Sequence, residues 1–202
     1  MFRTPDAGAA GLTGGSVALS ANGNTVLWAT TSSGVVVSTN QTNFTAVTSL
    51  PSSAIIASDK RNNSIFYAAS GSTFYVSTNG GGTFTSTGTL GATTAPFQIA
   101  VNPNVTGDVW VSSDKGLFHS TNLGASFGPL SNVTQAWGIA LGAPAPGSTY
   151  PALFAAANVQ GTVGYYRSDN SGSSWVQIND AGHGFASAAA NPISGDPRIY
   201  GR

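Results

Sequence analysis

The side chains in this sequence that could carry acid–base chemistry are few, and most of them are aspartates. The chain has 7 acidic residues, all of them Asp, together with 2 His and no Cys. General acid–base catalysis needs titratable groups that face a reacting bond in the correct geometry. Two His without Cys or Glu predict no metal-binding group, and we expect no cofactor and no thiol chemistry. The aspartates are Asp6, Asp59, Asp108, Asp114, Asp169, Asp180 and Asp196.

A motif that occurs three times indicates which elements position these groups. It reads Ser-x-Asn-x-Gly-x-Ser/Thr-aromatic over residues 77–84, 120–127 and 168–175, and a shorter fourth copy without the glycine spans residues 38–44. Each copy follows a short apolar stretch rich in strand-forming residues, and no long apolar stripe of helical period occurs. A unit of about 40–50 residues built from short strands is typical of a β-propeller blade.

Each position of the motif has a physical reason to belong to a hairpin turn. The Asn oxygen can accept backbone N–H groups, as in Asx turns. The Gly can adopt a positive φ without steric cost, and the aromatic residue can pack back into the blade. We therefore expect the serines to end the third strand of each blade and the aromatic residues to be buried. These residues are Ser77, Ser120 and Ser168 and Phe84, Phe127 and Trp175.

The fold class expected from this pattern is all-β, a β-propeller of about four four-stranded blades plus an incomplete fifth. The innermost strands are predicted at 16–19, 54–57, 97–101 and 137–141. A fifth unit is predicted to begin with strands at 185–191 and 197–200, with Asp196 leading into the second. Residues 1–14 are expected to be a lead-in and residues 15–202 a propeller segment truncated at its C-terminus. The alternative is a small four-bladed propeller that closes on its own.

The propeller reading divides the aspartates between two faces. Turns between first and second strands share one face with the motif turns, and this face takes Asp59, Asp108 and Asp169. Second-to-third and fourth-to-first connections lie on the opposite face, where propellers usually bind ligands. Asp114 and Asp180 fall there, so they are the two candidates for active-site carboxylates. The alternative is that both are turn residues chosen for backbone geometry.

Several stretches of the chain resemble glycoside hydrolase family 74, the xyloglucanases and related β-1,4-glucan hydrolases. The resemblance is carried by Trp-Gly-Ile-Ala-Leu-Gly-Ala-Pro at 137–144, Tyr-Pro-Ala-Leu-Phe at 150–154, Trp-Val-Gln-Ile-Asn-Asp at 175–180 and Asp-Pro-Arg-Ile-Tyr-Gly-Arg at 196–202. Residues 108–112 and 115–120 resemble the preceding blades of that family, and the resemblance covers nearly the whole chain, from about Gly14 to Arg202. It implies a segment of the C-terminal one of two seven-bladed propellers that enclose a glucan-binding cleft.

The same resemblance implies an inverting mechanism in which one Asp is the general acid and another the general base. Neither catalytic segment of the family can be matched here, so this chain is expected to lack both catalytic aspartates. The motif also departs from the family's usual Asp, because Asn79, Asn122 and Asn170 stand in its place. Asn keeps the acceptor oxygen that the turn needs, but it makes a cation-binding role for these turns less favourable.

Two residues on the expected ligand face are predicted to contact sugar. Trp137 is predicted to follow a loop at 131–136 and to begin an innermost strand near the rim, where an indole ring could stack on a sugar face. His183 is predicted to lie in a fourth-to-first loop. The alternative for Trp137 is a buried packing role. His119 is expected to be structural. The remaining tryptophans, Trp28, Trp110 and Trp175, are expected in the core.

The function expected from these observations is that of part of a secreted glycoside hydrolase acting on xyloglucan or related β-1,4-glucans. The expected partners are the polysaccharide and the rest of the parent enzyme. The alternative is a non-catalytic propeller that binds a glycan or a protein. A net charge of zero argues against nucleic acid as a partner, and no apolar run is long enough to span a bilayer.

Overall fold

A computed structural model of the chain describes residues 12, 14–180, 182 and 193–201. Its 16 strands form four separate four-stranded antiparallel sheets, each built from consecutive strands of the chain. The innermost strands of successive sheets lie beside one another in chain order. In the described part of the chain, no helix is long and apolar enough to cross a membrane. The all-β propeller fold predicted from the repeats is confirmed.

Blades 1 and 2 follow the predicted strand order closely. Blade 1 contains β1 (Ser16–Leu19), β2 (Val26–Ala29), β3 (Val35–Ser38) and β4 (Thr45–Ala46). Blade 2 contains β5 (Ile55–Ser58), β6 (Phe66–Ser70), β7 (Thr73–Ser77) and β8 (Thr85–Thr89).

Blades 3 and 4 repeat the arrangement, with longer strands in blade 4. Blade 3 contains β9 (Pro96–Val101), β10 (Val109–Ser113), β11 (Gly116–Ser120) and β12 (Gly128–Pro129). Blade 4 contains β13 (Val133–Pro144), β14 (Pro151–Val159), β15 (Thr162–Ser168) and β16 (Val176–Gln177). In every blade the third strand ends at the serine that opens the motif, as predicted.

The core lies between adjacent blades, in three clusters of buried apolar side chains. One cluster joins blades 1 and 2 around Leu27 and Phe66, one joins blades 2 and 3 around Phe74 and Val111, and one joins blades 3 and 4 around Trp110. Each sheet therefore buries both of its faces only where it has a neighbour on both sides. This arrangement explains why the strands read as nearly continuous apolar runs.

The motif aromatics pack across these seams rather than inside their own blade. Phe84 of blade 2 is buried in the cluster shared with blade 1. Phe127 of blade 3 sits edge-on to Phe74 of blade 2, with ring centroids 4.8 Å apart, and Trp175 packs against the cluster of blades 3 and 4. Phe127 and Trp175 are only half-buried. The expectation of burial is therefore correct for Phe84 and wrong for the other two, which pack against the clusters between blades but keep part of each side chain exposed.

Two further burial expectations have different outcomes. Trp110 is fully buried, as expected. Trp28 is only half-buried: its indole N–H donates to the Gly14 carbonyl and its ring meets Phe44 edge-on at 6.0 Å. Trp28 faces the side of blade 1 that has no neighbouring blade among the described residues.

The predicted second strand of a fifth blade, at 197–200, is wrong. These residues form a bend and a turn instead of a strand. The Asp196 carboxylate accepts the Arg198 and Ile199 N–H groups at 2.8 and 3.2 Å, so it caps a turn. Pro197 also lacks the N–H that a ladder needs. The predicted first strand of that unit, at 185–191, lies outside the described residues.

Candidate functional site

The connections on each face of the blades are tied together as the propeller reading predicts. On one face the motif turns bond to the first-to-second connections, since Gly80 N–H donates to Ser64 O at 2.8 Å and Leu123 N–H to Gly107 O at 3.1 Å. On the opposite face the second-to-third turn of blade 3 bonds to the connection that leads into β9. The first face is called the motif face below, and the second the rim face.

Asp114 lies on the rim face and forms the bond that ties these connections. Its Oδ1 accepts the Thr94 and Ala95 N–H groups, both at 3.0 Å, and its Oδ2 accepts the Thr94 hydroxyl at 2.8 Å. The Lys115 ammonium lies 3.4 Å from Oδ2. Burial acts to raise the pKa of Asp114, but the hydrogen bonds from Ala95 and Thr94 outweigh it and lower the pKa to about 2. The carboxylate is thus ionised at neutral pH and engaged within its own blade, which favours the turn-residue interpretation.

The lowered pKa of Asp114 makes a prediction about acid stability. The unfolded carboxyl has the ordinary pKa of 3.8 and the folded one about 2, so the stabilisation is complete above about pH 4 and is lost as the pH falls toward 2. Asp114→Asn does not titrate. The difference in unfolding free energy between the parent chain and Asp114→Asn should therefore shrink between about pH 4 and pH 2, measured by urea unfolding. A difference that stays constant over this range would show that the carboxylate charge does not contribute.

The second candidate carboxylate, Asp180, is exposed in the segment that follows β16. Just before it, the Asn179 side chain accepts the Tyr165 N–H at 2.7 Å and anchors this segment to blade 4. His183, the predicted sugar contact in the same loop, lies outside the described residues, as does Asp6.

Asp59 and Asp108 lie on the motif face, as predicted, and both are buried between blades. Asp59 is the acceptor for the Tyr67 hydroxyl at 2.7 Å and for Gly107 N–H at 3.1 Å, which joins blade 2 to blade 3. Burial would raise the pKa of Asp59, but hydrogen bonds from Tyr67 and from backbone N–H groups outweigh it and lower the pKa. Its role is therefore to join the blades.

Asp108 contacts His119 within blade 3 and joins blade 3 to blade 4 through Tyr150. Its Oδ1 lies 2.7 Å from His119 Nε2 and 3.0 Å from the Tyr150 hydroxyl. The His119 ring stacks on Trp110 at 3.9 Å, and the Trp110 indole N–H donates to Tyr150 at 2.9 Å. These contacts give His119 the structural role expected from the sequence. Burial and the neighbouring Asp108 carboxylate raise the pKa of Tyr150, so its hydroxyl remains a donor at any ordinary pH.

The three full motif turns share one hydrogen-bond pattern. In blade 2 the Ser77 hydroxyl donates to Asn79 Oδ1 and accepts the Gly81 N–H, while Asn79 Oδ1 also accepts the Thr83 N–H. The Asn79 amide then donates to the Thr83 hydroxyl at 2.8 Å, a bond that a carboxylate could not donate. The same bonds recur around Asn122 and Asn170. The Asn side chain is thus used for both its oxygen and its nitrogen, and it adds no charge at this position of the turn.

Trp137 is half-buried on the innermost strand of blade 4. The expectation that it begins this strand is wrong, because β13 already starts at Val133, which pairs with Val159. The polar run before Trp137 looked like a loop, but β14 extends past its predicted end and provides a partner for it. Trp137 itself has no partner residue, since Ala136 pairs with Ala157 and Gly138 with Ala156. It is the extra residue of a β-bulge, a device that re-aims a side chain.

Sequence reasoning missed two features of the rim face. One is Phe97, a half-buried aromatic residue on β9. The other is an open cavity of about 600 Å³ between blades 1 and 2, lined by residues such as Ala29, Ser52 and Ile55. Neither gives a sequence signal, because the cavity is formed by three separate segments, at 15–16, 29–34 and 52–55, and Phe97 looks like any strand aromatic. The described residues contain no cluster of three or more acidic, His or Cys side chains that could hold a metal.

Comparison with known proteins gives a consistent result. A xyloglucanase of Paenibacillus sp is 42% identical over 204 residues, which is 97% of this chain and 20% of that protein. A xyloglucanase of Hypocrea jecorina is 43% identical over 192 residues, which is 95% of this chain and 23% of that protein. No protein-family model matches the chain. The chain thus spans about a fifth to a quarter of the length of these curated relatives.

Solved structures agree with the sequence comparison. The crystal structure of the Niastella koreensis GH74 enzyme superposes with a TM-score of 0.84 and 32% identity, covering 93% of this chain and 28% of that one. The GH74 xyloglucanase of Xanthomonas campestris superposes with a TM-score of 0.81 and 29% identity. Identity of this order along nearly the whole chain, together with the same arrangement of blades, places this chain in glycoside hydrolase family 74, where it corresponds to a β-propeller segment of the larger relatives.

Proposed function

We propose that this chain is part of a glycoside hydrolase that acts on xyloglucan or related β-1,4-glucans. The observation that carries the proposal is the match of a bacterial and a fungal xyloglucanase at more than 40% identity over at least 95% of the chain. Polymeric glucan is met outside the cell, so the parent enzyme is proposed to be secreted. The partners are then the polysaccharide and the remainder of the parent enzyme.

Within that enzyme, the segment is proposed to supply the wall of the cleft rather than the reacting carboxylates. The Asp114 carboxylate is ionised, and it accepts hydrogen bonds from the Thr94 and Ala95 N–H groups. Asp59 and Asp108 are buried between blades on the other face. Inverting hydrolysis needs one carboxylic acid and one carboxylate about 6.5–9.5 Å apart across the scissile bond. Asp180 is the remaining candidate on the rim face. It follows blade 4, whereas Asp114 lies in blade 3.

Sugar contact on the rim face is proposed to depend on Trp137 and His183. A half-buried indole ring on an innermost strand presents an apolar face that the C–H groups of a sugar ring can cover. His183 follows β16 in the sequence, and an imidazole can exchange hydrogen bonds with sugar hydroxyls. Both residues are proposed to contribute to binding, not to bond cleavage.

The proposal predicts that the isolated chain binds xyloglucan but does not hydrolyse it. Purified chain incubated with xyloglucan should release no reducing ends above a buffer control, while its migration in a xyloglucan-containing native gel should be retarded. The parent enzyme that carries this segment should release reducing ends from the same substrate. Hydrolysis by the isolated chain that disappears in Asp114→Ala or Asp180→Ala, with both variants folded by circular dichroism, would contradict the proposed division of roles. Binding without hydrolysis by the whole parent would indicate a non-catalytic module instead.

A further inference from the structure

The innermost strands of blades 3 and 4 share an irregularity at the same level. In β9 the pairing steps from Gln98–Ser112 to Pro96–Ser113, so that Phe97 is an extra residue without a partner. In β13 the corresponding step skips Trp137. Both bulges lie between the third and fourth residues after the one that pairs with the motif serine, which are Ser112 and Ser113 in blade 3 and Ala156 and Ala157 in blade 4. Phe97 and Trp137 are therefore equivalent residues of adjacent blades.

These two aromatic side chains are not needed to fill the core. Both are half-buried, and among the described residues neither is part of the three apolar clusters or packs against them. The equivalent residues of blades 1 and 2 are small, Gly15 and Ala54, and they line the open cavity of about 600 Å³. This position of the innermost strand therefore borders an open cavity in blades 1 and 2, whereas it carries an aromatic ring in blades 3 and 4. A requirement for packing alone would not produce this difference.

Gln98 fixes the two bulges relative to one another. Its Oε1 accepts the Ile139 N–H at 3.2 Å, a bond from the side chain of blade 3 to the innermost strand of blade 4. Its Nε2 donates to the Ile193 carbonyl at 3.1 Å. Gln98 follows Phe97 directly, and Ile139 lies two residues after Trp137. One side chain therefore holds both aromatic positions in a fixed spacing, which is the preorganisation that a binding site needs.

We propose that Phe97 and Trp137 form a two-ring platform that stacks on sugar rings of one glucan chain running across the rim face of blades 3 and 4, with Gln98 as the residue that positions the rings. This inference rests on the proposed function and adds to it a second aromatic contact and a direction for the bound chain. Adjacent sheets pack about 10 Å apart, so the two rings are set to contact different sugar units of the same chain. The open cavity between blades 1 and 2 lies on the same face.

The chemistry of this face favours a neutral, hydroxyl-rich ligand. Charged residues make up only 7% of the chain, and the rim-face carboxylate Asp114 is paired with Lys115 and bonded to Thr94. Aromatic faces attract the weakly positive C–H groups that a sugar ring presents. An anionic polymer would find no cluster of cations on these residues to bind it.

The test measures the affinity of the full chain for xyloglucan by native electrophoresis in gels with graded amounts of the polysaccharide, beside gels with hydroxyethyl cellulose. Phe97→Ala and Trp137→Ala should each be retarded less, with an apparent Kd about tenfold higher than that of the unsubstituted chain. Phe97→Tyr and Trp137→Phe, which keep a ring, should stay within about threefold of the parent chain. Phe44→Ala removes a similarly half-buried ring on the motif face and should leave the affinity unchanged. Gln98→Ala should weaken binding while both rings remain present.

The outcomes separate this inference from the proposed function. If the unsubstituted chain is retarded and the folded variants Phe97→Ala and Trp137→Ala are retarded equally, the platform is overturned while the proposed function stands. If neither polysaccharide retards the unsubstituted chain, the platform and the proposed sugar-binding role of this segment are both overturned. Thermal unfolding followed by circular dichroism shows whether each variant is folded. If an alanine variant does not fold, the leucine variant at the same position takes its place, because Phe97→Leu and Trp137→Leu keep apolar volume without a ring. These variants should bind about tenfold more weakly than the unsubstituted chain, and equal binding would overturn the platform.

Discussion

Replacement of Asp59 by alanine should lower the free energy of unfolding by about 3–5 kcal/mol, because it removes the acceptor from buried donors on two blades. Asp59 is fully buried. The Tyr67 hydroxyl, itself on a side chain with no exposed surface, donates to it at 2.7 Å, and the buried Gly107 N–H donates at 3.1 Å. Each of these groups would remain in the interior without a partner. Urea unfolding at pH 7 measures the loss.

Two further measurements make this prediction specific. Asp196→Ala removes a carboxylate that also caps two backbone N–H groups, but in a surface turn, and it should cost no more than about 1 kcal/mol. Because hydrogen bonds lower the pKa of Asp59 in the folded chain, its stabilisation is present at neutral pH and is lost as the pH falls through that lowered pKa. Equal losses for Asp59→Ala and Asp196→Ala would show that the buried position of Asp59 has no special weight.

Replacement of Gly124 by alanine should cost about 2–5 kcal/mol, which combines a backbone and a packing penalty. Gly124 has a φ of +74°, and a Cβ added there would lie 2.3 Å from two ring carbons of Phe74 in the neighbouring blade. Phe74 cannot yield easily, since it is fully buried and packs edge-on against Phe127 at 4.8 Å. Chemical unfolding of Gly124→Ala against the parent chain measures this loss.

The chain offers a matched control for this substitution. Gly80 has a φ of +76°, and a Cβ added there would meet nothing within 4 Å. Gly80→Ala should therefore show the backbone penalty alone, about 1 kcal/mol. The equivalent motif residues Leu123 and Ser171 already adopt φ of +61° and +55°, so a side chain is tolerated there. If Gly124→Ala and Gly80→Ala were equally stable, the motif glycine would serve the turn only and not the seam between blades.

The strand order and the two faces could be predicted from the sequence because each rests on local information. A repeated turn predicts where the third strand ends, and short runs of apolar, strand-forming residues predict the neighbouring strands. The observed strands agree with these predictions within a few residues in all four blades. The strand predicted at 197–200 is wrong because the local pattern contains opposing preferences. Asp196 and Pro197 favour a turn, whereas Ile199 and Tyr200 favour a strand, and the sequence alone does not decide between them.

The candidate site could be predicted only in part, for a physical reason visible at Trp137 and Asp114. The sequence identified both as residues of the rim face. It could not show that Trp137 lies in a bulge, because a bulge is a mismatch in the pairing of two strands. It also could not show that the Asp114 carboxylate accepts hydrogen bonds from Thr94 and Ala95, which lie 20 and 19 residues away. Phe97 became a candidate only when its equivalence with Trp137 across two blades was established.

The sequence by itself determined the repeat, the turn chemistry and the family of this protein, since these depend on residues that are close together along the chain or on the order of motifs. The tertiary structure alone decided which polar groups are buried between blades, which glycines touch a neighbouring blade and which aromatic rings stay outside the core. Gly81 and Gly124 share one motif position, yet a Cβ there would meet Leu27 at 3.3 Å in one blade and Phe74 at 2.3 Å in the next. Such differences arise from contacts between blades, and those contacts join residues that lie far apart in the sequence.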